Sequence, residues 1–255
     1  MAEDRRLDEL FDPTAYGRAT SADYDDMYAE LDPTPAVDLL AELAGAGPVL
    51  ELGIGTGRLA LPLAARGLEV HGIEGSPEMA AALRRKPGGQ DLPVTVGDFA
   101  EVSTGATYTL AVLAINTVFA LPSQDAQVRC FRNVARHLEP GGRFVVEAWV
   151  PDLGAFRNGT AVRPVTVHDG RVELEVAQLQ PASQTMWTTK IHLTNQGVRL
   201  VPANHRYAWP AEMDLMARLA GMRLAERWSS WDRAAFTDHS LAHISVWERI
   251  ADDAW

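Results

Sequence analysis

Apolar residues recur in three rhythms along this chain, and each rhythm predicts a different kind of element. Short solid runs, Val49-Leu50-Glu51-Leu52, Leu68 to Glu74 and Thr109 to Ile115, read as strands buried on both faces of a parallel sheet. Helical spacing marks Ala36 to Ala44, after the Asp32-Pro33-Thr34-Pro35 break, and Ala126 to Leu138. A further helix is expected after Gly57, where Pro62 should introduce a slight kink. Between Thr160 and Trp209 the period falls to two. Val172, Leu174 and Val176 interleave with Arg171, Glu173 and Glu175, and Trp187, Thr189, Ile191 and Leu193 oppose Thr188, Lys190, His192 and Thr194. Asn195-Gln196-Gly197 offers a hairpin turn into residues 198–201, so this stretch reads as an antiparallel sheet with one wet face. Pro210 then starts a helix that Gly221 should cap, and strands near 223–228 and 242–248 complete the core. The organisation is therefore an arm (1–35), a doubly wound α/β core (36–157), an inserted antiparallel sheet (158–209) and a completion of the core (210–255).

The turn after the first strand carries the chemistry. Gly53, Gly55 and Gly57 reach backbone angles closed to other residues and leave room for a ligand against the main chain. A dinucleotide fingerprint would need its third glycine at position 58, where Arg58 stands, and Glu51 at the strand end would repel a pyrophosphate. A cationic ligand suits this turn better.

The pattern Glu51-x-Gly53-x-Gly55-x-Gly57 resembles motif I of the class I S-adenosylmethionine (SAM) methyltransferases, and three later segments extend the likeness in order. Leu68 to Glu74 ends a second strand in a carboxylate, Val94-Thr95-Val96-Gly97-Asp98-Phe99 is similar to the third motif, and Leu138 to Glu147 is similar to the turn into the fifth strand. The resemblance implies a Rossmann-like methyltransferase fold with SAM as cofactor. Its site would be built from Glu51, Gly53, Gly55, Gly57 and Arg58 at the first turn and from Glu74, Gly75 and Ser76 at the second. Asp98 and Phe99 would follow at the third, and Ala114 at the end of the fourth strand. Glu74 would grip the ribose hydroxyls and Asp98 the adenine amino group. Standing alone, Glu74 would read as a solvated strand end and Asp98 as a helix cap.

Tyr24-Asp25-Asp26-Met27-Tyr28 resembles the N-terminal helices that close over SAM in small-molecule methyltransferases. Tyr16 and Tyr24 are the candidates for holding the acceptor and flanking the sulfonium, while amphipathic packing is the plainer account of both. Phe119, in the Asn116-Thr117-Val118-Phe119 segment after the fourth strand, lies where ligands of doubly wound sheets collect and is expected as an apolar wall. His192 and His205 are candidate bases for an O-methylation. The histidines offer no trustworthy metal-ligand spacing, so no metal is expected.

Charge and cysteine content narrow the classes. With 34 acidic against 23 basic side chains the formal net charge is −11, which disfavours nucleic-acid substrates. The single cysteine, Cys130, lies on a helical apolar spacing and reads as packing; a reducing cytoplasm fits. The N-terminal residues show no apolar leader and no stretch approaches a membrane span, so a soluble cytoplasmic protein is expected. The reading is a SAM-dependent transfer to a small-molecule acceptor of secondary metabolism, at an amine nitrogen of amino-sugar type. O-methylation is the alternative, and a non-methylating cyclase or ligand-binding protein the alternative from another class. The inserted sheet serves either as a roof over the acceptor or as a homo-oligomer interface, and both stand open here.

Overall fold

The computed structural model describes residues 14–251, so the first part of the expected arm lies outside the described residues. The core strands are β1 (Val49–Leu52), β2 (Val70–Glu74), β3 (Val94–Val96), β4 (Tyr108–Leu113) and β5 (Leu138–Trp149). After an insertion carrying β6 to β10 come β11 (Met222–Trp228) and β12 (Ala242–Arg249). They form one seven-stranded sheet in the order β3-β2-β1-β4-β5-β12-β11. The first five are parallel, β12 runs antiparallel to β5, and β11 antiparallel to β12. Chain order reverses between β1 and β4, which opens a crevice at their carboxyl ends.

Alternate strand residues feed two apolar layers. Leu50 and Leu52 pack with Phe131, Phe144 and Trp247 on one side, and Val49 and Val112 with Leu40 and Leu63 on the other. Each fully buried side chain of this size contributes roughly 1.5–3 kcal/mol. The helices are α1 (Ala15–Thr20), α2 (Tyr24–Met27), α3 (Thr34–Ala44), α4 (Ala60–Ala65), α5 (Pro77–Arg84), α6 (Gln124–His137) and α7 (Pro210–Leu219). Helix α4 starts only at Ala60, so Pro62 falls in its first turn, where no amide hydrogen has an intrahelical partner. Pro62 therefore costs the helix no intrahelical hydrogen bond. Cys130 is fully buried in α6 and burial pushes its thiol pKa up, as a packing residue requires.

The insertion contains β6 (Thr160–His168), β7 (Arg171–Gln180), β8 (Thr185–Thr194), β9 (Gly197–Pro202) and β10 (His205–Arg206), all paired antiparallel around β7 and β8. One face is wet, as expected, and the structure distinguishes the two sides that alternation left unassigned. The polar face is the one turned inward: Glu173, Thr188 and His192 are buried beside Ala177 and Val201. The apolar face looks outward, with Val162, Val167, Val198 and Leu200 each 62–69% exposed. Alternation located the strands; the inward side is polar because it borders the arm and the crevice rather than an apolar layer. A buried network fixes the insertion to the core. Arg206 donates to Glu212 Oε1 at 2.7 Å, to Gln184 Oε1 at 3.0 Å and to Gln127 Oε1, and Gln127 Nε2 returns a bond to the Arg206 carbonyl at 2.8 Å.

Candidate active site

Strand β1 delivers the glycine turn to the crevice. Gly53 and Gly55 adopt φ of 67° and 56°, as only glycine does without strain. A Cβ on Gly53 would lie 2.8 Å from Thr117 Cγ2, whereas one on Gly55 would project into open space with nothing nearer than 3.8 Å. Gly53 is thus held by close packing, while the space beside Gly55 is open. Glu74 closes the turn from β2: its Oε2 accepts from Gly55 N at 2.7 Å and its Oε1 from Ser76 N at 2.8 Å. Burial raises the Glu74 pKa against these bonds. Ser76 caps α5 by accepting from Met79 N, and Gly75 links the two. Glu51 is buried, and its Oε2 has no hydrogen-bond partner among the described residues. Burial lifts its pKa to about 8 although Arg58 opposes the shift.

Asp98 is exposed and caps its turn by accepting from Ala100 N at 2.8 Å, while Phe99 turns into the core. Beyond β4, Ala114 is buried, and Ile115 and Asn116 adopt positive φ of 46° and 60°. Such angles cost on the order of 1–3 kcal/mol each in non-glycine residues and cluster at functional sites.

The arm lies across the glycine turn. Asp25 accepts from Thr56 Oγ1 at 2.6 Å and from Lys86 Nζ at 2.7 Å, and a Cβ on Gly17 would come within 2.6 Å of Ser76 Cβ. Arg199 of β9 reaches Asp23 and the Ala19 carbonyl, joining arm to insertion. Tyr24 feels the charges of Arg58, Glu51 and Glu74, and its ring stands 4.7 Å from that of Tyr28. The Tyr28 hydroxyl meets that of Tyr16 at 3.2 Å. Both Tyr16 and Tyr24 are half-buried by surface, yet desolvation drives their pKa far up, as in groups lining an enclosed cleft. Lys190 lies 5.9 Å above the Tyr16 ring and forms no ion pair among the described residues. Its cross-strand neighbour Glu175 pairs with Arg163 instead. Phe119, expected as the wall, has no exposed surface; its ring supports Trp149 at 4.6 Å, and the half-buried Trp149 in turn faces His205 at 6.2 Å. His192 sits farther along, 3.5 Å from Glu173. The sequence did not single out Asp25, Trp149 or Lys190; Trp149 could have been found as the aromatic at the carboxyl end of β5.

A carboxylate-ended β1, a glycine turn with open room at Gly55 and a second carboxylate clamped across it match what the comparisons with known proteins find. The family model described as "Methyltransferase domain" matches residues 49–142. The chain is 30% identical over 249 residues to a cypemycin N-terminal methyltransferase from Streptomyces sp, covering 94% of this chain and 100% of that protein. It belongs to the SAM-dependent methyltransferases. The CcbJ methyltransferase from Streptomyces caelestis superposes with a TM-score of 0.87 at 39% identity, covering 94% of this chain and 100% of that one. The sugar N-methyltransferase KedS8 from Streptoalloteichus sp ATCC 53650 shares the fold, with a TM-score of 0.65 at 21% identity over 89% and 93% of the two chains.

The methyltransferase's own residues fit SAM. The unpartnered buried oxygen of Glu51 awaits a positive group, and the open side of Gly55 admits one against the backbone. SAM carries a sulfonium and an ammonium, so its binding favours the ionised form of Glu51. Because the Glu51 pKa is about 8 beforehand, SAM binding at pH 7 should release a proton. Calorimetry in two buffers of different ionisation enthalpy should give different apparent heats for wild type and equal heats for Glu51→Gln. Equal heats for wild type would show that Glu51 is already ionised.

Proposed function

We propose that this methyltransferase transfers the methyl group of SAM to an amine nitrogen of a small natural-product intermediate. One observation carries the choice of nitrogen: burial disfavours the phenolates of Tyr16 and Tyr24 and the imidazolium forms of His192 and His205, so none of these four candidates is a strong base, and Glu51, lifted to about 8, belongs to the glycine turn on the cofactor side. Burial drives Tyr16 and Tyr24 far above their ordinary pKa and His205 down to about 4, with Lys190 adding to the latter shift. Burial likewise lowers His192. A hydroxyl acceptor needs a base to become nucleophilic, whereas a neutral amine brings its own lone pair. SAM supplies an electrophilic methyl and a neutral thioether leaving group. The chain's part is to align and desolvate: the tyrosines and Trp149 enclose the acceptor, and the arm shuts out water. The N-terminal specificity in the name of the cypemycin relative supports the same choice, and the net charge of −11 disfavours polyanionic acceptors.

The test is the pH dependence of kcat/KM on a panel of amino sugars, peptide N-termini and phenols, scored by S-adenosylhomocysteine release. We expect activity on amines to rise as the acceptor's own ammonium deprotonates, with the same profile in His205→Gln. A preference for phenols, together with an enzyme pKa that vanishes in His205→Gln, would replace this reading by O-methylation.

A further inference from the structure

Strand β5 carries one charged residue in its apolar run Phe144-Val145-Val146-Glu147-Ala148, and Glu147 makes no ion pair among the described residues. Both of its oxygens are instead spent on neutral donors. Oε2 accepts from the backbone N–H of Ile115 at 2.8 Å, and Oε1 from the indole N–H of Trp231 at 2.8 Å. The Glu147 carbonyl accepts from Asn116 N at 3.0 Å, and Asn116 Oδ1 accepts from Trp149 N at 2.7 Å. Ile115 is β-branched, and its φ of 46° is one that such residues rarely adopt. The left-handed turn thus persists because neighbouring groups hold it, with Glu147 at the centre. The turn also touches the cofactor side of the site: Thr117, bonded back to the Ala114 carbonyl at 2.6 Å, fills the space beside Gly53.

We propose that Glu147 is a positioning residue for methyl transfer, holding the strained Ile115–Asn116 turn against the Gly53 loop and tying it to Trp231 in the β11–β12 connection. Strain kept at this place by a carboxylate has a geometric use. It fixes the end of β4 and the glycine turn as one rigid edge of the crevice, so that cofactor and acceptor meet in line. Trp231 makes that edge continuous with the connection between β11 and β12.

The test uses the intact protein with Glu147→Gln, Trp231→Phe and the double variant. Glutamine presents one carbonyl oxygen and one NH2 where two N–H groups need acceptors, so one of the two bonds is lost. Glu147→Gln should lower kcat tenfold or more, with acceptor KM and SAM Kd within threefold of wild type and melting little changed. Trp231→Phe should lower kcat by about two- to fivefold, and the double variant should fall no further than Glu147→Gln, because the three groups act as one clamp. The 13C resonance of the S-methyl group of labelled SAM bound to Glu147→Gln should shift relative to wild type. Wild-type kcat in Glu147→Gln, a loss confined to SAM affinity or proportional to lost folded protein, or an unmoved methyl resonance would each overturn the proposal. It rests on SAM dependence and not on the identity of the acceptor. If no amine is methylated by wild type, N-methylation fails, while the methyl resonance still decides the role of Glu147.

Discussion

Glu74→Ala should bind SAM about 10- to 150-fold more weakly than wild type, a loss of roughly 1.5–3 kcal/mol for hydrogen bonds to a charged group. The loss has two sources. One is the grip on the ligand's ribose hydroxyls that we propose for the carboxylate at the end of β2. The other is the glycine turn itself, since the Gly55 and Ser76 amides both lose their acceptor. Glu74→Gln should rescue little, because an amide can accept from only one of those N–H groups and turns a donor toward the other. Titration calorimetry on the three proteins decides this. Glutamine binding within threefold of wild type would mean that the backbone bonds are dispensable and that the turn holds its shape unaided.

Arg206→Met should lower stability by about 3–5 kcal/mol, the cost of removing one partner from a buried ion pair, and the melting temperature by on the order of ten degrees for a chain of this size. Arg206 is 3% exposed, and its guanidinium is shared among Glu212, Gln184 and Gln127. Its loss strands polar groups on the insertion, on α6 and on α7 together. The pH dependence has a definite sign. Burial pushes the Glu212 carboxyl upward, but hydrogen bonds from Gln184, Arg206 and Gln124 outweigh it and hold the pKa below the ordinary 4.5. A depressed folded-state pKa gives stability that is full above the unfolded value and lost as pH falls through the folded one. The stability gap between wild type and Glu212→Gln should therefore be constant above about pH 5 and shrink in more acid solution. Thermal melts from pH 3 to 7 measure it, and a gap independent of pH would contradict the network.

Much of this was legible in the chain because local periodicity reports burial directly. The solid runs of β1 and β4, the glycine turn and the carboxylate ending β2 each announce themselves within a few residues. Asp98 caps a turn by accepting from Ala100 N, close to the cap that its residue type alone suggests, although no helix follows it. The illegible parts are relations across long sequence separations. Glu147 and Trp231 meet across 84 positions, and Arg206 and Gln127 across 79. No spacing rule connects such pairs. Phe119 was placed correctly along the chain, but period alone could not say that Trp149 would stand in front of it. Alternation identified the two sides of the insertion without naming the inner one.

That inverted sheet leaves an unusual freedom. In most sheets a one-residue slip is forbidden because it drives charges into an apolar layer and aliphatic groups into water. Here the aliphatic side already stands in water, and the side that meets the arm already holds Glu173, Lys190 and His192. Register in the β8–β9 hairpin is set by the two-residue turn between Thr194 and Gly197. A single insertion or deletion near that turn would turn β9 over, bringing Val198 and Leu200 to the side now taken by Arg199 and Val201 while β7, β8 and the glycine turn stay as they are. Such a change would also remove Arg199 from Asp23 and the Ala19 carbonyl, so the length of this turn governs how the insertion meets the arm.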